Sequence, residues 1–388
     1  MPKIAVFAGR VHHVERLRLI VNALQSRGHS VEYLTADNYL NIDPNSAHLV
    51  KSHLAFKHIS AYLSPTDLAA GMTGNLLNSV GEIENYVDPY HLSGSIREAC
   101  EAVTGFHGYL LKEKPDLVLG LHENNFWYRI LAYKCTQFKI PAVAFQEGLL
   151  RLRDETTQGK QSIAADYSTK LLCWSDAARD SYIRAGIPES KLAVTGISHL
   201  DAYLQPFNRE QMAYNLGFDP RRKVVAFLLP QTSRYEGNWQ THLQALSEWA
   251  SMNGVQLAVK FHPFESEGLV ESVERGMRSL KIVKADTLDL VRASSLVISQ
   301  HSTVAIETVA LGVPLVELDL DNHGILESLA EQGVAVSVRK GEAGKLADIL
   351  SGKISIDPVK LSAWRERNVG PLDGKSTERV CEELEKLL

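Results

Sequence analysis

Cysteine is scarce and scattered. The four present, Cys100, Cys135, Cys173 and Cys381, include no CxxC pair, so neither a disulfide framework nor a zinc site is written in them. No apolar run approaches the roughly 20 residues that a membrane-spanning helix needs. Basic residues are not in excess, since 41 Lys+Arg against 46 Asp+Glu leave a net charge of -5. A whole-chain footprint for nucleic acid is therefore lacking. Internal repeats and low-complexity segments are missing too. The start, Met1-Pro2-Lys3 followed by Ile4 to Phe7, runs straight into a strand pattern without a signal-peptide plan. These absences lead to the expectation of a cytoplasmic protein. With 388 residues, 45% hydrophobic and 22% charged, the chain exceeds one ordinary core and suits two domains.

The opening reads as a βαβ unit. Lys3 to Ala8 is a buried strand and Arg10 to Glu15 a polar turn. Arg16 to Arg27 is a helix, with Leu17, Ile20, Val21 and Leu24 on one face. Gly28 ends that helix and Ser30 to Thr35 is the next strand. The pattern returns with strands at 116–121, 141–145, 169–174 and 191–195, and with helices near 126–138 and 176–185. Gln205 to Arg222 is polar and reads as an irregular inter-domain stretch. A second series follows, with strands at 224–229, 256–261, 281–283, 296–299 and 315–318 and helices at 241–252, from Val304 and from Ser376. The expected fold class is α/β, two doubly wound parallel-sheet domains facing a cleft. Their spans are 1–203 and 204–388, with the C-terminal helix able to pack back on the first domain. Residues 40–100 resist this pattern; His48, His53, His58 and His91 lie there at spacings that match no metal motif.

Doubly wound sheets bind ligands at the carboxyl ends of their strands, so site residues are expected in the strand-end loops. Leu257-Ala-Val-Lys-Phe-His-Pro263 ends a strand in Lys260, His262 and Pro263. A histidine there can meet a phosphate or protonate a leaving oxygen; the plain alternative is a strand-end His before a turn Pro. In Ile298-Ser-Gln-His-Ser-Thr-Val-Ala-Ile-Glu307, Ser302 or Thr303 caps a helix, where free N–H groups and the helix dipole suit a phosphate. Glu307, one turn in, can accept from a ribose; the alternative is a simple N-cap and a solvated Glu. Phe145-Gln-Glu-Gly-Leu149 places Glu147 at a strand end as a general-base candidate, or is a plain βα turn. Gly9-Arg-Val-His-His13 brings His12 and His13 to the end of the first strand, where two surface histidines are the bland reading. Asp319-Leu-Asp321 has a DxD spelling that occurs often by chance.

Several segments stand in a particular order. They are Phe7-Ala-Gly-Arg leading to Leu24-Gln-Ser-Arg-Gly-His-Ser-Val31, Pro115 to Leu149, Val194-Thr-Gly-Ile-Ser-His-Leu-Asp201, Ser302 to Pro314, and Val369-Gly-Pro-Leu-Asp-Gly-Lys-Ser-Thr-Glu-Arg379. Over nearly the whole chain this order resembles the GT-B superfamily, the nucleotide-sugar glycosyltransferases and their relatives the non-hydrolysing UDP-GlcNAc 2-epimerases. Gln146-Glu147-Gly148, His262-Pro263 and Ser302-Thr303 are similar to the acidic pair, His-Pro and Ser-Ser/Thr motifs of bacterial sialyl- and Kdo-type transferases. Gln146 departs from the acidic first position. Against an epimerase, the HGD loop reads His122-Glu-Asn124 and the glutamate before AGL falls on Gln146. The HRREN-type loop reads Gln231-Thr-Ser-Arg234, and SGG reads Ser302-Thr303-Val304.

The resemblance implies an inverting glycosyltransferase using a CMP-linked acidic sugar, with a UDP-sugar next, on a glycan or glycolipid acceptor in bacterial surface polysaccharide assembly. The alternatives are an epimerase-like enzyme, a CDP-alcohol phosphotransferase or a non-catalytic nucleotide-sugar-binding protein. Glu147 would be the general base and His262 the phosphate partner or acid. Arg234, Lys260, Pro263, Ser302, Thr303 and Glu307 would hold the donor. His12, His13 and Glu123 would face the acceptor or serve as an alternative base. No metal or resident cofactor is expected, since the nucleotide sugar is a substrate. A lipid-linked acceptor would bring peripheral membrane contact at the inner face.

Overall fold

The computed structural model describes residues 1–9, 11–36, 56–63, 96–121, 126–148, 167–230, 239–262, 265–277, 280–300, 302–319 and 328–388. Among them the chain divides into two compact units. One comprises Met1–Asp201 with Gly370–Leu388, and the other Ala202–Val369.

The first unit is built on a seven-stranded sheet: β1 (Lys3–Phe7), β2 (Ser30–Thr35), β3 (Phe56–His58), β4 (Leu117–Leu121), β5 (Ala142–Phe145), β6 (Lys170–Cys173) and β7 (Leu192–Val194). Their order is β3-β2-β1-β4-β5-β6-β7, and every pairing is parallel. The chain winds outward from β1, then restarts beside it at β4, so the switch point lies between these two strands. The runs LVLGL and AVAF of β4 and β5 are buried at every position, as expected of strands covered on both faces. Gly120 is required by the cover on β4, because a Cβ there would stand 2.1 Å from the Tyr128 ring. That ring stacks on Phe7, at 6.0 Å between centroids.

The first helix runs Val11–Ser26, and so takes in most of the stretch expected to be a polar turn. The reason is visible in its buried stripe, His13, Leu17, Ile20, Val21 and Leu24. These positions share one helical face, but the first is a histidine, which a search for apolar periodicity passes over.

The C-terminal segment closes the first unit. Asp201 accepts the N–H groups of Ser376 (3.2 Å) and Thr377 (2.6 Å), at the start of the helix Ser376–Glu385. Arg379 donates to the Thr195 carbonyl and pairs with Asp373 at 2.9 Å. Gly370 has φ +84, and a Cβ on it would stand 2.2 Å from the Trp174 carbonyl oxygen. No larger residue fits that approach.

The second unit has a six-stranded parallel sheet: β8 (Val224–Leu228), β9 (Gln256–Lys260), β10 (Leu280–Ile282), β11 (Leu296–Ser299), β12 (Leu315–Asp319) and β13 (Val336–Arg339). Its order is β10-β9-β8-β11-β12-β13, with the switch point between β8 and β11. Both units are thus Rossmann-like, doubly wound α/β layers. The polar stretch after Gln205 is not irregular throughout. It contains the helix Arg209–Asn215, capped by Asn208 Oδ1 accepting from the Gln211 N–H at 3.1 Å. In the described part of residues 40–100, β3 and the start of the helix Ile96–Glu113 appear. His58 ends β3 and bonds Ser60, while His48, His53 and His91 lie outside the described residues. No helix of the described residues is long and apolar enough to cross a membrane.

Candidate active site

At the carboxyl end of the first sheet, three side chains converge. β1 ends at Phe7, and the chain passes through Gly9 into the first helix, whose opening turn carries His12 and His13. β5 ends at Phe145 and is followed by Gln146 and Glu147. His12 Nε2 lies 2.5 Å and His13 Nε2 3.3 Å from one atom, Glu147 Oε1. The second contact is looser than a linear hydrogen bond. Arg16 Nη1 donates to the Glu147 carbonyl oxygen at 2.6 Å, pinning the loop after β5 to the first helix. His12 and Arg16 are one turn apart, so both reach the same loop. The two imidazoles meet edge to face, 4.7 Å between centroids.

The rings differ in surroundings. His13 is fully buried, and its Nδ1 accepts the Gly9 N–H at 3.2 Å. The His12 side chain is 39% exposed and that of Glu147 13%. The carboxylate is therefore mostly withdrawn from water, with one imidazole behind it and one leading outward.

Gln146 is buried and fully engaged. Its Oε1 accepts the Trp174 N–H and its Nε2 donates to the Gly148 carbonyl oxygen, both at 2.9 Å. The position needs one acceptor and one donor, which an amide has and a carboxylate lacks. Gln146 thus ties β5 to β6 and bends the following turn.

Among the described residues, the ligand atoms of His12, His13 and Glu147 lie within 4.8 Å of one another, close enough to surround a cation. The chemistry of His13 opposes this. A ring nitrogen that accepts a backbone N–H carries no proton, so the proton of neutral His13 is on Nε2. Metal ligation through Nε2 would move that proton to Nδ1 and set it against the Gly9 N–H.

The other expected site residues lie in the second unit or outside the described residues. Ser302 caps the helix Thr303–Ala310, its Oγ accepting from the Val304 N–H at 3.4 Å. Glu307 is buried at 3% exposure, so it is not the solvated glutamate of the bland reading. Lys260 Nζ donates to the Ala285 carbonyl at 2.5 Å, which ties the end of β9 to the turn after β10. His262 follows β9 and its carbonyl accepts the Glu265 N–H at 3.0 Å. Asp319 ends β12 and is buried. Glu123, Arg234, Pro263 and Asp321 fall outside the described residues. The joint position of His12, His13 and Glu147 was the feature that reading along the chain missed. The sequence held two signals for it, the shared strand-end positions of the three residues and the upstream continuation of the buried helical stripe onto His13.

The family model for UDP-N-acetylglucosamine 2-epimerase matches residues 82–384, well over half of the chain. The chain belongs to the UDP-N-acetylglucosamine 2-epimerase family. Solved structures show the same fold. The UDP-GlcNAc 2-epimerase of Neisseria meningitidis, bound to UDP-GlcNAc, superposes with TM-score 0.66 at 14% identity, covering 100% of both chains. That of Methanocaldococcus jannaschii gives TM-score 0.65 at 18% identity, covering 99% of each chain. The GT-B fold is shared more widely, since Acinetobacter baumannii MurG matches at TM-score 0.55 and 12% identity over 100% of both chains. No curated protein matches the chain by sequence.

Membership overturns the expectation of a glycosyltransferase. The family match is to the epimerases and not to sialyl- or Kdo-type transferases. The short motifs Gln146-Glu147-Gly148, His262-Pro263 and Ser302-Thr303 misled because motifs of two or three residues recur across the superfamily. In the structure, moreover, Gln146 is part of the scaffold and not half of an acidic pair.

Proposed function

We propose that this protein is a nucleotide-sugar epimerase acting at C2 of a UDP-linked N-acetylhexosamine, with Glu147 as the group that takes the proton from carbon. The observation that carries the reading is the Glu147 carboxylate, set at a strand end and met by two imidazoles on one oxygen. The family's matched relatives include an epimerase bound to UDP-GlcNAc, which supports the choice of substrate.

The chemistry follows from the carbon concerned. A C2 hydrogen beside an acetal carbon has no carbonyl to acidify it. Its proton can leave at a useful rate only as the neighbouring C1–oxygen bond to the nucleotide breaks. The electron pair of C2–H forms the C1=C2 double bond, and that of C1–O leaves on the diphosphate. A second proton, delivered by an acid or water on the opposite face of C2 while Glu147 keeps the first, and re-addition of the diphosphate oxygen to C1 complete the inversion. The first step needs a carboxylate held ready in a water-poor setting, the environment given to Glu147. The family's usual glutamate falls on Gln146; we assign its work to the adjacent position. For the nucleotide, His262 after β9, Ser302 and Thr303 at the helix start after β11, and Glu307 within that helix are the proposed contacts, with Pro263 next to His262 and Arg234 in the sequence after β8. Lys260, already bonded to Ala285, is left to support the fold there.

Thermal unfolding with matched UDP and CMP tests the substrate class. UDP at 100 times its dissociation constant should add about 2.7 kcal/mol to the native state, and CMP much less. Stabilisation by CMP alone would remove the UDP-sugar assignment. Anion-exchange analysis of the products from UDP-GlcNAc then separates an epimerase from a binding protein that has lost the reaction.

A further inference from the structure

The two imidazoles at Glu147 are not equivalent, and their differences divide a task between them. His13 is buried, and its Nδ1 is held as an acceptor by the Gly9 N–H at 3.2 Å. Its proton therefore stays on Nε2, which lies 3.3 Å from Glu147 Oε1 as a close polar contact outside hydrogen-bond alignment. His12 approaches the same oxygen at 2.5 Å, yet its side chain is 39% exposed. One ring is locked and dry; the other touches both the carboxylate and water.

We propose that His12 is the hydron port of the site, through which a proton held by Glu147 exchanges with solvent, and that His13 is a positioning residue that fixes Oε1. The inference rests on the reading of Glu147 as the base. After Glu147 has taken a hydron from the substrate carbon, that hydron changes places with the one in the Glu147–His12 hydrogen bond. The His12 ring then trades it for one from water. Each transfer replaces one hydron by another, so no net charge is moved and no co-reactant is required. When the intermediate reverts to substrate, Glu147 hands a hydron back to the face it came from, and with this outlet slowed that hydron is mostly the one it removed. The port thus decides how much solvent hydrogen enters C2 of reverted substrate for each epimer molecule formed.

The test uses the full chain and protiated UDP-GlcNAc in D2O. Deuterium at C2 of the recovered substrate is measured by NMR against epimer formed, so a change in overall rate cancels. The ratio should fall in His12→Gln by roughly a hundredfold, the lower range for a positioned proton-transfer group. An unchanged ratio overturns the port. A second measurement is independent of turnover. Histidine-selective ¹⁵N spectra should show His13 as the Nε2–H tautomer, and should still show it in His12→Gln. The Nδ1–H tautomer at His13 overturns the proposal, as does added Zn²⁺ bringing both rings to metal-bound shifts. If wild-type protein neither epimerises nor exchanges C2–H while His13 shows the expected tautomer, the base reading fails. The port falls with it, and the hydrogen-bonded geometry alone stands.

Discussion

At position 146 the side chain has two demands placed on it by the backbone, one from the Trp174 N–H and one from the Gly148 carbonyl. Gln146→Glu would satisfy the first and set a carboxylate against the second. Leaving that half-buried carbonyl unpaired should cost about 1 kcal/mol, the low end for an unsatisfied group, read as a lower urea midpoint with an unchanged slope. The same change should not restore activity to Glu147→Gln, because the new carboxylate would lie along β6 rather than against the imidazoles. Restoration would return the catalytic role to position 146. Glu147 itself was legible in the sequence as a carboxylate at a strand end. Its partners were not legible as partners: His12 and His13 stand 135 and 134 residues away along the chain, and parallel winding alone brings β1 and β5 to the same end of the sheet. The buried state of His13 was hidden for a different reason. Its ring fills an apolar stripe, but its composition belongs to a turn.

Among the elements, the edge formed by β1, β2, β3 and the helix Ile96–Glu113 is held by an ion network. Lys3 Nζ meets Glu113 at 2.7 Å and Glu32 at 3.2 Å, and Lys57 Nζ meets the same two carboxylates at 2.7 and 2.9 Å. Tyr109 donates to Glu32 at 2.6 Å and Tyr62 to Glu113 at 2.9 Å. Hydrogen bonds from Lys3 and then Lys57 hold the Glu113 carboxyl down at about 2, from an ordinary 4.5. A group depressed in the folded state adds stability above its unfolded value and loses it as pH falls through the folded one. Glu113→Gln should therefore be less stable than wild type at pH 6, and the gap should close between pH 4.5 and about 2. A gap independent of pH in urea unfolding would show that the network's charge is not what matters. At the other end of the chain, Asp201→Ala removes the acceptor for two N–H groups of the helix Ser376–Glu385. It should cost about 1 kcal/mol and raise amide exchange in that helix first. Uniform exchange through the first unit would contradict a local role. The helix was legible from its periodicity, but its cap was not, since Asp201 comes from 175 residues upstream.

For the molecule as a whole, two successive doubly wound sheets could be read from the alternation of apolar runs and helical stripes. Most strands were found because parallel strands buried on both faces are written as continuous apolar segments, LVLGL and VVAFL among them; their order in each sheet was not read from the sequence. Short or weakly apolar pieces were lost, such as β3 with FKH and β13 with VSVR. They are edge strands, and neighbours supply what their sequences lack. Function was harder to read than fold, for one fold serves transferases and epimerases alike, and the residues that distinguish them are contributed singly by distant loops. The central claim is that Glu147 removes a proton from C2 of a UDP-N-acetylhexosamine. It is met most directly by following UDP-GlcNAc in D2O by ¹H NMR with wild-type protein and with Glu147→Gln. The account predicts that wild type forms the C2 epimer and loses the C2–H signal, and that Glu147→Gln slows both by about 10²–10⁴. Epimer formed at the wild-type rate by Glu147→Gln, or C2–H unchanged in the presence of active protein, would contradict it.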